Sequence, residues 1–307
     1  MEFLNHSLLF SDPIYRQTAF IVLAIIFGSG LIVYLFRTSN YYFKGAWASI
    51  KSWLFVAPLM FVVFSFPNPA PLIVLTLMSV YGAKAFFQIM GMYHRNYFVI
   101  ICYLGIYGLG ISSYYNQVAL YNQLPIIVLG ISCLVPLLRD NYKRMIQYIS
   151  ITLLAFIFLG WSFMHLGLIL NLEKGLYQIM YLVVLTEFCD NTNLAISRYF
   201  RSFRLFKRID PKRTLGSTVV SVVLTLGLAG FMRWLLPDQG DKYWYTSGLV
   251  ASLGGLLGDL VMAVVRRDAG VKIVGPFIIG RGDFLQRIDR LIFVAPIYYY
   301  VMVWIQQ

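Results

Sequence analysis

The sequence predicts an all-α fold: a polytopic integral membrane helix bundle of about nine to ten transmembrane helices. Three observations lead there. The chain is 59% hydrophobic and only 12% charged, where soluble domains average roughly 25% charged residues. Ten apolar runs approach the length of about 20 residues that a spanning helix needs. Cationic connections alternate with connections poor in cations, as the positive-inside rule requires of successive loops.

The runs lie near 17–36, 52–66, 70–90, 97–114, 118–137, 147–171, 176–198, 215–236, 243–265 and 289–306. The first has no charge, and residues 1–16 lack the basic start of a cleavable signal peptide, so it is expected to remain as an anchor. The second is short, and Pro67, Pro69 and Pro71 mark a tight hairpin into the third. The fourth is the weakest. If the second or fourth is re-entrant, eight or nine spans remain. Arg37, Lys44 and Lys51 follow the first run, His94 and Arg95 the third, and Arg139, Lys143 and Arg144 the fifth. The densest basic clusters follow the seventh and ninth. Both termini are therefore expected to face away from the cytoplasm. The formal charge of +12 is mainly topological, which argues against nucleic acid as a partner. Cys102, Cys133 and Cys189 all lie in apolar runs and read as small buried hydrophobes. His6, His94 and His165 are too scattered for a zinc site. No internal repeat or soluble domain stands out. Residues 1–172 read as amino-terminal spans and 173–307 as the region bearing the chemistry.

The polar residues concentrate there. Charges within spans are costly and are functional by default. At about 100° per residue, Glu187, Asp190, Asn191, Arg198 and Arg201 share one side of a continuous helix, which would run on past Arg204 and Arg208 as an interfacial amphipathic helix. Its arginines could grip anionic lipid headgroups or a phosphate substrate. Lys212 and Arg213 precede the eighth run, where a helix N-terminus suits an anion. Asp259 lies within the ninth run among small residues, with Arg266 on its face; Lys84 is one candidate structural partner. From Arg266 to Arg290 the last connection holds nine charged residues. They include Arg267, Lys272, Asp283, Arg287 and Asp289. Carboxylates converging from two helices beside cations suit Mg²⁺-assisted phosphoryl or nucleotidyl transfer.

At these residues the sequence resembles the phosphatidate cytidylyltransferase (CDP-diglyceride synthase) family. The matching elements are Glu187 and Asp190; Pro211-Lys212-Arg213-Thr214; Gly258-Asp259; Arg267; Gly270-Val271-Lys272; Gly275; Gly280 and Gly282; and Arg287-Ile288-Asp289 followed by Leu291. They fall in family order across about residues 181–296. The resemblance implies a polar cavity on the cytoplasmic side of a bacterial inner membrane. It implies that CTP and an anionic phospholipid, phosphatidate, give CDP-diacylglycerol and pyrophosphate with Mg²⁺. A second copy of the chain is a candidate partner beside membrane lipid. Residues and resemblance together assign catalysis to Asp259, Lys272, Arg287 and Asp289. Substrate binding falls to Glu187, Asp190, Arg198, Arg201, Lys212, Arg213, Arg266 and Arg267, and metal binding to Asp259, Asp283 and Asp289.

The sequence departs from the family pattern. Asp210 stands for its Ser and Arg213 for its second Lys. Gly216 replaces an acid, Met262-Ala263 a Glu-Ser pair, Arg266 a Lys and Ile273 an acid. Residues 279–283, Ile-Gly-Arg-Gly-Asp, replace Pro-Gly-His-Gly-Gly. Gln286 stands where the family has an acid expected to help hold metal, and an amide is a poorer Mg²⁺ ligand than a carboxylate. Three accounts stay open. Asp283 supplies the lost ligand and Asp210 a further acid, so nucleotidyl transfer survives. Alternatively the site has decayed, leaving a lipid-binding or scaffold protein. Least favoured, Glu187, Asp190 and Asp259 line a transport path.

Overall fold

The structure is a computed structural model and describes residues 12–36, 47, 54, 57–197, 203–204, 206–210, 213–236, 240–270, 285 and 288–306. Among these residues there is no strand, only an isolated bridge between Phe206 and Asp210. Seven helices among the described residues are long and apolar enough to cross a membrane, and Leu291–Ile305 forms a shorter apolar helix. The protein is an all-α, polytopic integral membrane bundle.

The chain forms two compact units. Within the first, α1 (Pro13–Phe36) is almost uniformly apolar and exposes Phe20, Ile25, Leu31 and Leu35. That surface suits hydrocarbon, where a helix satisfies its own backbone polar groups. Residues 57–64 are also helical. The buried Tyr15 hydroxyl donates to the Phe61 carbonyl, and the two rings meet edge to face. A turn at 65–69 then leads into α2 (Ala70–Ile89), as the three prolines suggest.

The second unit begins at Leu75, within α2. The sequence's weakest run is a full helix, α3 (Asn96–Tyr114), followed by α4 (Val118–Leu138) and α5 (Met145–Ile169). Over Phe156–Ser162 the middle of α5 widens into a π-helix. Its neighbours satisfy carbonyls there: Ser79 donates to Leu159, and Tyr121 donates to Trp161 at 2.5 Å. Cys102 and Cys189 are buried as expected, but Cys133 is exposed, because it lies on the outward face of α4.

The remaining helices build the site. They are α6 (Gly175–Ile196), α7 (Leu215–Phe231, continued by a 3₁₀ turn to Leu235), α8 (Asp241–Asp268) and α9 (Leu291–Gln306). α6 is long enough to span but is not among those seven helices. Its polar side chains are covered by α7 and α8, and Tyr181 donates to the Ala229 carbonyl at 2.6 Å. α8 buries Ser247, Gly248, Ala251, Ser252, Gly254, Gly255 and Gly258. Small side chains let helices approach closely where no water drives them together.

The helix expected to continue through Arg208 ends instead at Ile196, capped by Ser197. Residues 206–210 form a tight turn, with the Asp210 amide donating to the Phe206 carbonyl at 2.9 Å. Periodicity placed the arginines on one face, but this turn removes the helix that would have carried the face onward.

Candidate active site

α6 supplies Glu187 and Asp190, three residues apart and therefore on neighbouring positions of one helix surface. Asp190 is 6% exposed. A carboxylate at such depth persists only if paired. Its Oδ1 accepts from Arg213 Nη2 at 2.7 Å, and its Oδ2 lies 2.6 Å from Arg290 Nη2. Arg290 also reaches Glu187 Oε1 through Nη1 at 2.8 Å. α6 is thus tied to the connection before α7 and to the turn before α9.

Arg213 is aimed by its local structure. Thr214 caps α7 with a reciprocal pair of 3.2 Å bonds between itself and Ser217. Ser217 Oγ donates onward to Asn193 Oδ1 of α6 at 2.9 Å, and Asn193 Nδ2 donates to Thr218 Oγ1 at 3.3 Å. The Leu215 amide donates to the Phe203 carbonyl at 2.9 Å. With the start of α7 pinned this way, the Arg213 guanidinium points into the bundle and is only 4% exposed. It meets three carboxylates: Asp190, Asp210 at 2.9 Å through Nε, and Asp259. Burial alone would make Arg213 easier to deprotonate. The carboxylates of Asp259, Asp190 and Asp210 outweigh it and raise its pKa.

Gly258 explains how the other acid pair forms. A Cβ there would overlap the Asp289 carbonyl oxygen, so only glycine lets α8 touch the turn at 289–290 this closely. The next residue, Asp259, is thereby set beside that turn. Leu285 and Ile288 are fully buried, and the Asp289 amide donates to the Leu285 carbonyl at 2.9 Å, closing one helical turn. Arg266, two turns beyond Asp259 on α8, joins the two acids. Its Nη1 donates to Asp289 Oδ2, and its Nη2 lies 3.9 Å from Asp259 Oδ1. Asp289 is completely buried, and its Oδ1 has no hydrogen-bond partner among the described residues. Burial lifts this carboxyl to about 7, against the lowering pull of Arg266. Burial would lower Arg290, but Glu187, Asp190 and Asp259 hold its pKa above the ordinary value.

Among the described residues five carboxylates, Glu187, Asp190, Asp210, Asp259 and Asp289, are thus linked to three guanidiniums, Arg213, Arg266 and Arg290. A small cleft between α6, α7 and α8 adjoins them, lined by Thr186, Cys189, Asn193, Thr218, Ser252 and Gly255 together with Asp190, Arg213 and Arg290. Among the described residues no three acids, cysteines or histidines form a ready-made metal cage. The donor chemistry nevertheless fits one divalent cation: two carboxylates from two elements and a buried oxygen on Asp289 that has no partner among the described residues.

The sequence profile of the cytidylyltransferase family matches residues 47–305. The chain belongs to the cytidylyltransferase family. It is similar over 152 residues to the phosphatidate cytidylyltransferase of Bacillus subtilis (strain 168), at 30% identity, covering 48% of this chain and 56% of that one. A phosphatidate cytidylyltransferase of Synechocystis is 36% identical over 103 residues, 31% of this chain and 33% of its own. The Escherichia coli (strain K12) protein named "Uncharacterized protein YnbB" is 29% identical over 130 residues, 42% and 44% of the two chains. These matches span from a third to just over half the length of the relatives.

Of the residues assigned from sequence, this cytidylyltransferase-family structure brings Glu187, Asp190, Arg213, Asp259, Arg266 and Asp289 into one network. Arg267 is exposed at the end of α8 and makes no ion pair among the described residues. Arg198, Arg201, Lys212, Lys272, Asp283 and Arg287 lie outside the described residues, as does Gln286. Lys84 is not the partner of Asp259. It sits 5.8 Å from the Tyr93 ring centroid, and Arg213 and Arg266 neutralise the acid. Sequence reasoning left Arg290 out of the site and gave Asp210 no partner. Arg290 directly follows the matched Arg287-Ile288-Asp289, and that adjacency was the available signal.

Proposed function

We propose that the protein is a CTP:phosphatidate cytidylyltransferase, forming CDP-diacylglycerol or a related CDP-lipid and pyrophosphate. The observation that supports this best is the carboxylates Asp259 and Asp289, bridged by Arg266 where Gly258 lets α8 touch the turn at 289–290, in a member of this family. The site faces the cytoplasm of a bacterial inner membrane, where CTP is available.

The lipid phosphate is already anionic, so its oxygen needs no strong general base. It attacks the α-phosphorus of CTP, and the bond from that phosphorus to the bridging oxygen of the β-phosphate breaks as pyrophosphate leaves. Asp259 and Asp289 would hold Mg²⁺, which when bound neutralises charge on the phosphate oxygens. Arg290 holds Glu187 and Asp190 in position, and Arg213 ties Asp190 to Asp259. Arg266 stands partly open to solvent and can also meet an incoming phosphate.

One observation favours a second reading, a lipid-binding homologue without catalysis: Gln286 occupies the place of a family acid. Purified protein supplied with CTP, Mg²⁺ and phosphatidate distinguishes the two. Pyrophosphate release that is lost in EDTA and in Asp259→Asn is expected. No release with any phospholipid acid or nucleotide would refute the enzyme and leave the lipid-binding reading.

A further inference from the structure

We infer that Arg266 is a displaceable internal counter-ion that occupies the cation position between Asp259 and Asp289 and so sets the protein's demand for a divalent metal. The inference rests on the proposed metal role of these two acids, but concerns a residue of this chain.

The three arginines of the network are not equivalent. The Arg213 side chain is 5% exposed and grips three carboxylates, while that of Arg290 is 9% exposed and grips two carboxylates of α6. Arg266 also pairs with a buried acid, Asp289, but is more exposed and more loosely held. Its side chain is 16% exposed, near the solvent-facing end of α8, between the more exposed Val264 and Arg267. It makes one direct bond, to Asp289, and only a 3.9 Å approach to Asp259. A long arginine stem at such a place can swing its head into water.

Arg266 also satisfies its site incompletely. Asp259 has Arg213 as well, but Asp289 pairs with Arg266 through Oδ2 alone, and its buried Oδ1 has no partner among the described residues. A divalent ion between the same acids would bring two charges and could use that oxygen. Arginine and metal therefore compete for one position. The competition favours metal only when its concentration suffices to expel the guanidinium, because each closely placed charge interacts strongly in this partly dry site. Once expelled, the partly exposed Arg266 guanidinium is free to meet a polyphosphate.

The test uses the full chain in detergent with Mn²⁺ as the probe, followed by electron paramagnetic resonance and by thermal unfolding. Arg266→Gln should bind Mn²⁺ about tenfold or more tightly than the wild type. Arg266→Lys, a single point cation, should fall between them. Without metal, Arg266→Gln should melt below the wild type and regain the difference on adding Mn²⁺. Arg233→Gln, a distant exposed charge change, should bind Mn²⁺ like the wild type. If Arg266→Gln folds only when extracted with Mn²⁺, that supports the inference. If it folds under neither condition, the lysine variant decides, and wild-type affinity there overturns the inference. Equal or weaker Mn²⁺ binding by Arg266→Gln also overturns it, and leaves the metal role intact if the wild type still binds. Absence of Mn²⁺ binding in every protein overturns both.

Discussion

Replacing Arg213 by methionine tests the central claim, that buried guanidiniums hold the site's elements together. Arg213 meets Asp190 at 2.7 Å, Asp210 at 2.9 Å and also Asp259, and these side chains are 6%, 20% and 15% exposed. Methionine roughly keeps the stem's volume and removes only the charge and its donors. Breaking a buried pair from one side costs about 3–5 kcal/mol, because the remaining charge is left uncompensated. The lower part of that range applies here, since Asp190 retains Arg290 and Asp259 retains Arg266. Arg213→Lys keeps the charge, but a single ammonium cannot span three carboxylates. It should lose about one charge-assisted bond, roughly 1.5–3 kcal/mol. Denaturant unfolding of the purified protein in detergent, followed by tryptophan fluorescence, measures both. The losses should persist in 1 M salt, because ions screen exposed pairs far more than buried ones. A methionine variant within about 0.5 kcal/mol of wild type, or one more stable than the lysine variant, would refute the reasoning.

Two further substitutions probe the packing that aims these groups. Gly258→Ala should destabilise the protein by at least about 1–3 kcal/mol and abolish pyrophosphate release. The added Cβ meets the backbone of Asp289 and Arg290, which no rotamer change can relieve, whereas Gly227→Ala meets nothing within 4 Å and should behave as wild type. Asn193→Ala should cost about 1–3 kcal/mol, read by the same unfolding experiment. It removes the acceptor for Ser217 and the donor for Thr218, so pyrophosphate release should fall as the start of α7, and Arg213 with it, loosens.

What the sequence disclosed and what it withheld divide along a physical line. Hydropathy and length located the helices, including the weak run that became α3, because a span's composition is set by the solvent around it. The acids of α6 and α8 were legible for the converse reason: a carboxylate inside an apolar run has few explanations. Partners were not legible. Periodicity says which face a residue occupies on its own helix, never which side chain comes from elsewhere to meet it. That is why Lys84 was a candidate partner for Asp259 although Arg213 and Arg266 hold it, and why Arg290 was passed over. The end of α6 at Ile196 depends on a turn and cap that periodicity does not record.

Pairing changes the meaning of the departures from the family pattern. Asp210 in place of Ser and Arg213 in place of Lys look like two separate losses in the sequence. In the structure they face each other, Arg213 Nε donating to Asp210 Oδ2 at 2.9 Å. A lysine at 213 could not reach Asp210 while also serving Asp190 and Asp259, because an ammonium is one compact charge and a guanidinium a fork of five donors. Nor would an arginine with a serine at 210 find its third anionic acceptor. The two changes fit each other: the extra donor reach of a guanidinium meets the extra acid. The Arg213–Asp210 pair adds a third anchor to the guanidinium that bridges Asp190 and Asp259, and so ties the connection before α7 to α6 and α8.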